Sequence, residues 1–231
     1  MTNIHHFFFN PFEERTTVVW DSGLQGVIID PGCRGGREEE QLFSFIQSRG
    51  IQIRTILLTH AHPDHIYGLK ACMERFGAPV RMHPADQVFQ NNPEALGRAF
   101  PLLCPAASWP FTPVEDGDTV TAGDLVFEVI GTPGHTPGSV CYFLRREQVL
   151  FSGDTLFAGT IGRTDLPWGD YDAEIVSVME KLMGLDADVE VFPGHGGATT
   201  IGYERTHNPF LQPFNEKDEQ TGSVDGIEFN G

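Results

Sequence analysis

The sequence has 231 residues, of which 40% are apolar and 20% are charged, and this composition predicts a globular protein with a sizeable core rather than a disordered chain. Its 32 acidic residues against 15 basic ones give a net charge of -17, which disfavours nucleic acids and anionic membranes as partners. No apolar run approaches the ~20 residues that cross a bilayer, and the first ten residues lack the regions of a secretory signal, so we expect a cytoplasmic protein.

The first part of the chain is predicted to contain a hairpin, a helix and a buried strand. Turn residues separate two β-rich segments, 17–20 and 26–30, which is typical of a hairpin. Helical spacing over 38–47 stops at Gly50, the residue type that most often ends a helix. The segment 53–58 is apolar on both faces and is therefore expected to be a strand between two layers.

The rest of the chain continues with both kinds of element. After a polar stretch at 59–65, we expect a helix to about Arg75, a strand at 79–82 and a helical segment near 85–100. Four prolines argue against regular structure in 101–113. Further strands are predicted at 119–121, 125–130, 139–144, 148–151 and 189–192, and further helices at 173–183 and 201–211.

These elements predict one mixed domain over residues 1–214, with two sheets covered by helices. The acidic, glycine-bearing segment 215–231 is expected to be a loose tail. The four cysteines are widely spaced and form no Cys-x-x-Cys pair, so we expect reduced thiols.

Three histidines and an aspartate come directly after the apolar strand 53–58. They are His60, His62, Asp64 and His65. A loop at the end of a strand can turn several side chains toward one point, and Pro63 suits the first turn of a following helix. Imidazole and carboxylate are the usual ligands of zinc and other divalent first-row metals, so this cluster predicts a metal site rather than a solvated loop.

Three more polar residues, His135, Asp154 and His195, occupy the same kind of position. Each follows a predicted strand within glycine-rich turn chemistry. Taken singly, each would more often be an ordinary loop or turn residue. Together with the first cluster they supply five histidines and two aspartates, enough for two metal ions.

The His-x-His-x-Asp-His pattern with the later His, Asp and His, in this order, resembles the metallo-β-lactamase superfamily. The resemblance extends from about residue 10 to residue 211 and implies an α+β fold, the four-layer αββα sandwich, with the metals at one sheet edge. Within it, the segments 59–68, 132–139 and 152–167 are similar to the glyoxalase II-type hydrolases, and most of all to their short bacterial forms.

The resemblance also implies a division of the ligands between two divalent ions, for which zinc, iron or manganese would be suitable. A hydroxide held between the ions would be the nucleophile, and Asp64 could orient it. One ion would be held by His60, His62 and His135, the other by Asp64, His65 and His195, and Asp154 would bridge both.

The expected substrate is a small-molecule thioester of the hydroxyacylglutathione type, such as S-lactoylglutathione. A thiolate, with a solution pKa of ~8.5, can leave without a strong general acid. The chain departs from full-length glyoxalase II, which has a basic C-terminal domain, because only Arg205 and Lys217 are cationic after His195. Arg163 could bind an anionic group, or it could pair with Asp165 or Asp170.

Other interpretations stay open at this point. A mononuclear iron persulfide dioxygenase is the first alternative, and it needs only a 2-His-1-carboxylate set. A non-enzymatic metal-binding protein is the second, whereas a β-lactamase and an RNA-processing nuclease are disfavoured. The segment 84–113, with Phe89, Phe100 and Trp109, could cover the site as a lid or belong to the core.

Overall fold

The computed structural model describes residues 1–92 and 108–212, which form two six-stranded sheets, a two-stranded ribbon and six α-helices. The strands are β1 (Asn3–Phe9), β2 (Glu14–Trp20), β3 (Gln25–Ile29), β4 (Gln52–Leu57), β5 (Val80–Met82), β6 (Thr112–Pro113), β7 (Thr119–Ala122), β8 (Leu125–Gly131), β9 (Val140–Leu144), β10 (Val149–Gly153), β11 (Leu156–Phe157), β12 (Thr160–Ile161), β13 (Glu190–Pro193) and β14 (Thr199–Thr200). The helices are α1 (Gly36–Arg49), α2 (Pro63–Ile66), α3 (Leu69–Phe76), α4 (Gln87–Asn91), α5 (Tyr171–Val176) and α6 (Ile201–His207).

The two large sheets differ in their strand directions. The first has the order β1-β2-β3-β4-β5-β6, with antiparallel pairing up to β3 and parallel pairing from β3 onward. The second has the order β14-β13-β10-β9-β8-β7 and is antiparallel except for the pair β10 and β13. The parallel pairs matter for function, because loops that follow parallel neighbours leave the sheet at the same edge.

Alternation along the strands divides the apolar residues among three cores. In β3, Ile28 packs toward α1 and α3, whereas Val27 and Ile29 pack between the sheets. In β9, Tyr142 faces the space between the sheets and Phe143 faces the side of α5 and α6. Because successive side chains point to opposite faces of a sheet, three cores require four layers. The α+β class and the αββα sandwich expected from the sequence are confirmed.

The structure also corrects several element predictions. The helix expected up to Arg75 is split into α2 and α3, since Gly68 donates its backbone N–H to the Pro31 carbonyl and lies against Cys33. The helix expected over 173–183 is shorter, and a π-helical segment, Ser177–Leu182, follows α5. Strand β1 was not predicted.

The proline-rich segment also contains one short strand. β6 pairs with β5 at the edge of the first sheet, where the missing N–H of Pro113 is tolerated. The helical segment predicted near 85–100 consists, in its described part, of a 3₁₀ turn (Pro84–Asp86) and α4.

Several predictions fall on residues outside the described ranges. These include the remainder of the helical segment near 85–100 with Phe100, most of 101–113, and the tail 215–231. The described cysteines, Cys33, Cys72 and Cys141, are buried free thiols.

The longest described helix, α1, has 14 residues, and in the described ranges no helix has the length and hydropathy of a membrane-spanning segment.

Candidate metal centre

The seven residues expected to bind metal lie in the segments that follow the carboxyl ends of four strands, five of them in loops and two, Asp64 and His65, in the short helix α2. The cluster from His60 to His65 follows β4, His135 follows β8, Asp154 follows β10, and His195 follows β13. The two sheets are joined here, because the backbone N–H of Val140 in β9 donates to the Thr59 carbonyl. The structure therefore brings all seven side chains to one edge of the sandwich.

The first group of possible ligands consists of His60, His62 and His135. One ring nitrogen from each lies within 4.8 Å of the others, and all three residues are buried. His135 Nε2 lies 2.9 Å from His62 Nδ1. These three residues form the set that the sequence motif implies for one ion.

The second group consists of Asp64, His65 and His195, again with one ligand atom from each within 4.8 Å. His195 Nε2 lies 3.2 Å from Asp64 Oδ2 and 3.3 Å from His65 Nε2. Asp64 and His65 are buried, whereas the His195 side chain is 25% exposed. The second group is therefore the more open of the two.

Asp154 faces both groups. Its Oδ1 lies 3.3 Å from His65 Nε2 in the second group, and its Oδ2 lies 3.5 Å from His135 Nε2 in the first. The same Oδ2 is 3.6 Å from His195 Nε2. One carboxylate with an oxygen toward each group can serve as a bridging ligand.

The arrangement of the ligand atoms fits divalent metal ions. Nitrogen ligands placed tetrahedrally at zinc bond lengths are separated by ~3.3 Å, close to the distances around His65 and His195. His60 Nε2 is buried and has no hydrogen-bond partner among the described residues. Among the described residues, Asp64 and Asp154 form ion pairs only with imidazoles. Two bound cations would therefore compensate the buried charge of these carboxylates.

Hydrogen bonds to Nδ1 orient three of the imidazoles. His135 Nδ1 donates to the Arg163 carbonyl at 2.7 Å, His195 Nδ1 donates to the Phe12 carbonyl at 2.9 Å, and His65 Nδ1 donates to Asp30 Oδ2 at 3.1 Å. A proton held at Nδ1 leaves the Nε2 lone pair available. In each case this lone pair faces the site, as a metal ligand requires.

Asp30, which follows β3, connects the two groups and was not identified from the sequence. Its Oδ2 accepts from His65 Nδ1 and, at 2.6 Å, from Thr59 Oγ1, while its Oδ1 accepts from the Thr59 N–H at 2.7 Å. Thr59 Oγ1 in turn lies 3.0 Å from His60 Nδ1. In sequence, an aspartate before Pro-Gly indicates only a turn, although its positive φ of 48° fits the bend it makes here.

Burial and charge set different protonation preferences in the two groups. Burial holds the pKa values of His60, His62 and His135 below the ordinary value, which favours the neutral imidazole that binds metal. Burial would also lower the pKa of His65, but Asp154 and Asp64 beside it raise that pKa well above its usual range. The second group thus concentrates the negative charge of the site.

Two more buried carboxylates hold the ligand loops, and neither was predicted. Asp86 accepts from the N–H groups of Ala61 at 2.8 Å and Gly138 at 2.7 Å, and so fixes the loops of both first-group motifs. Glu174 Oε2 accepts from the N–H of His135 at 2.8 Å. Burial raises the pKa of Asp86 to about 7 and that of Glu174 to about 8. Their partners are backbone groups of distant segments, which no sequence spacing reveals.

Side chains around the site decide between the interpretations given above for Arg163 and for the described part of the segment 84–113. Arg163 pairs with Asp165 through two hydrogen bonds of 2.7 and 2.8 Å, so the ion-pair interpretation is the one that the structure shows. Phe89 is only 3% exposed and, with the partly buried Trp109, belongs to the first core rather than to an exposed lid.

Comparison with known proteins agrees with this architecture. The family model of the metallo-beta-lactamase superfamily matches residues 10–195. The chain is 36% identical to the hydroxyacylglutathione hydrolase GloC of Haemophilus influenzae, over 90% of this chain and 98% of GloC.

Two crystal structures are similar along almost their whole length. BLEG-1, described as a B3 metallo-beta-lactamase, has a TM-score of 0.84 and 35% identity, over 90% of this chain and 99% of that one. TTHA1623, solved in a di-iron-bound form, has a TM-score of 0.80 and 36% identity, over 90% of this chain and 100% of that one. By its family match, its relatives and its fold, the chain belongs to the metallo-β-lactamase superfamily and is one of its metallo-hydrolases.

Proposed function

We propose that this protein hydrolyses thioesters of the hydroxyacylglutathione type with two divalent metal ions, zinc being our first choice. The observation that carries the proposal is the pair of three-residue groups with the Asp154 carboxylate between them. The similarity to GloC, whose name states this activity, supports the choice of substrate.

Two ions at this site would supply a Lewis acid for the thioester carbonyl and would lower the pKa of a bound water toward neutrality. The residues of the chain would do the rest. The Asp64 carboxylate, whose Oδ2 lies 3.2 Å from His195 Nε2, would orient the attacking water. The Nδ1 bonds of His65, His135 and His195 hold the ligand rings, so little reorganisation is needed during the reaction.

The chemistry of the leaving group is a second reason to propose a thioester as the substrate. A thiolate leaves without a strong general acid, and the buried carboxyls with raised pKa values, Asp86 and Glu174, are engaged with backbone N–H groups. A thioester would therefore suit this site without a proton donor for the departing sulfur.

The proposal is tested by anaerobic thiol release from S-lactoylglutathione. Metal-reconstituted wild type should release thiol without oxygen, and His195→Ala should lose most of this activity because it removes a second-group ligand. Consumption of glutathione persulfide with oxygen uptake in both proteins, without thioester turnover, would instead establish the mononuclear iron dioxygenase. Absence of both reactions would leave a metal-binding protein without this activity.

Asp154→Ala provides a second variant with a distinct expectation. Because Asp154 faces both groups, its loss should lower the metal occupancy of both and reduce thiol release by several orders of magnitude. Full retention of two ions by Asp154→Ala would contradict the bridging role.

A further inference from the structure

Trp168 occupies a backbone conformation that its side chain does not favour. Gly169 N–H donates to the Leu166 carbonyl at 3.0 Å, which closes a four-residue turn with Pro167 second and Trp168 third. The φ of Trp168 is +66°. Proline followed by a residue with positive φ is the pattern of a type II turn, whose third position is normally glycine or asparagine. A bulky residue there is a genuine outlier, and such outliers concentrate at functional sites.

The turn belongs to a loop that surrounds a proposed metal ligand. The loop starts where the Arg163 carbonyl accepts the His135 Nδ1 bond, and it ends where the Asp170 N–H donates to the Gly134 carbonyl at 2.8 Å. Both ends are thus fixed next to His135. The position of Trp168 is therefore tied to the first metal group.

Ring contacts connect the indole to the same group. Trp168 packs edge to face on Phe89 at 5.2 Å, and Phe89 packs on the imidazole of His62, also at 5.2 Å. Phe89 is buried, whereas 38% of Trp168 is exposed. The indole therefore covers the outer side of the Phe89–His62 pair and leaves an aromatic surface exposed at the edge of the site.

The chemistry of this edge favours an apolar group. The guanidinium of Arg163, in the same loop, is paired with Asp165 through two hydrogen bonds, and this ion pair would have to open before Arg163 could hold an anion. A glutathione moiety carries two carboxylates and an ammonium group, whereas the acyl moiety of a thioester can be wholly apolar or aromatic. An indole surface attracts the second kind of group, by burial and by edge-to-face contact.

We propose that Trp168 is a specificity-determining residue that forms one wall of the acyl-group pocket and selects thioesters with an aromatic or bulky apolar acyl group. This inference rests on the proposed thioester hydrolysis. It gives a functional reason for a tryptophan at a position of the turn where glycine would be free of strain.

The test compares two substrates that differ only in the acyl group, S-mandeloylglutathione and S-lactoylglutathione, which carry a phenyl and a methyl group at the same carbon. The ratio of their kcat/KM values should fall about tenfold in Trp168→Gly, because the phenyl group loses its wall. Trp168→Phe, which keeps a ring, should retain most of the ratio. An unchanged ratio, or an equal loss for both substrates, would overturn the proposal.

Leu24→Gly is a matched control. Leu24 also has a positive φ, +61°, and is 40% exposed, but it lies in the turn before β3, at the end of that strand away from the metal centre. Relief of backbone strain alone would act in both variants. The substrate ratio should therefore stay unchanged in Leu24→Gly.

A binding measurement separates failure of this inference from failure of the proposed function. Calorimetry on the metal-reconstituted protein would compare the thioethers S-benzylglutathione and S-methylglutathione, which cannot be hydrolysed. If the wild type turns over no thioester, the proposed function fails. A preference of the wild type for the benzyl compound, reduced in Trp168→Gly, would still support Trp168 as the wall of an apolar pocket. A wild type without such a preference would overturn it.

Discussion

Substitution of Asp30 by asparagine should weaken metal binding by the second group, with His65, more than metal binding by the first group, with His60. Asparagine tolerates the left-handed backbone of this position, φ +48°, so the change acts through the side chain. The carboxylate accepts three hydrogen bonds, from Thr59 N–H, Thr59 Oγ1 and His65 Nδ1. An amide has only one acceptor oxygen, so in either orientation its NH2 group faces at least one of these donors.

The expected magnitudes follow from these contacts. Loss of one buried hydrogen bond to a charged group should lower the free energy of unfolding by about 1.5–3 kcal/mol. Loss of a partner that orients a ligand typically costs about 10–100-fold in metal affinity, which should fall on the group of His65 because its Nδ1 contacts Asp30 directly. His60 is reached only through Thr59 Oγ1, so the first group should lose less.

Calorimetric titration of metal-free protein, with a competing chelator, would measure the two affinities. The step that His195→Ala abolishes would identify the second group. Thr59→Val is the matched variant, because it removes the hydroxyl beside His60 while Asp30 stays, and it should weaken mainly the first group. Equal losses at both groups in Asp30→Asn, or no loss at all, would refute this reasoning.

Two further predictions concern the pH dependence of stability and the packing beside the metal centre. Burial, and next the charge of Arg15, lowers the pKa of His6 to about 4. In the unfolded chain a histidine titrates near ~6.5, so between these two pH values the unfolded state binds more protons than the folded state. The free energy of unfolding should therefore fall as the pH drops through this window. Denaturant titrations at several pH values should show a flatter decline for His6→Gln than for the wild type, and an equal decline in both would refute this prediction. A Cβ at Gly194 would collide with the Asp154 carboxylate and the His65 imidazole, so Gly194→Ala should lose metal and thiol release. Gly197→Ala, which has open space around it, should keep both. Equal behaviour of these two variants would speak against the described packing.

The sequence was sufficient for those parts of the site that combine a distinctive residue type with a strand end. The chemistry-bearing residues His60, His62, Asp64 and His65 closely follow an apolar strand, so their grouping at one sheet edge could be expected, and their role as metal ligands stays a prediction. Two sheets covered by helices could be expected from the strands in both halves of the chain, whereas the four-layer order was implied by the resemblance to the metallo-β-lactamase superfamily.

The residues that hold the ligands could not be found in this way. Asp86 and Glu174 act on backbone N–H groups of segments far away in the chain, and these contacts exist only after folding. Trp168 gives no signal in sequence, because its positive φ depends on a turn whose other residues are compatible with several conformations.

Strand β1 was missed for a different reason. Phe7 and Phe9 are buried and Phe8 is exposed, so the strand does alternate, but three consecutive phenylalanines conceal the period. The Arg15 guanidinium lies over the exposed Phe8 ring, 4.7 Å from its centre. This contact accounts for an apolar side chain on the outer face.

The most direct test of the dinuclear hydrolase is thiol release measured as metal is added back to metal-free protein. With a thioester that the wild type turns over, activity should rise until two equivalents of zinc per chain are bound and should then stay constant. The same titration of Asp154→Ala should give little activity at any ratio. A plateau at one equivalent in the wild type would contradict the two-ion site.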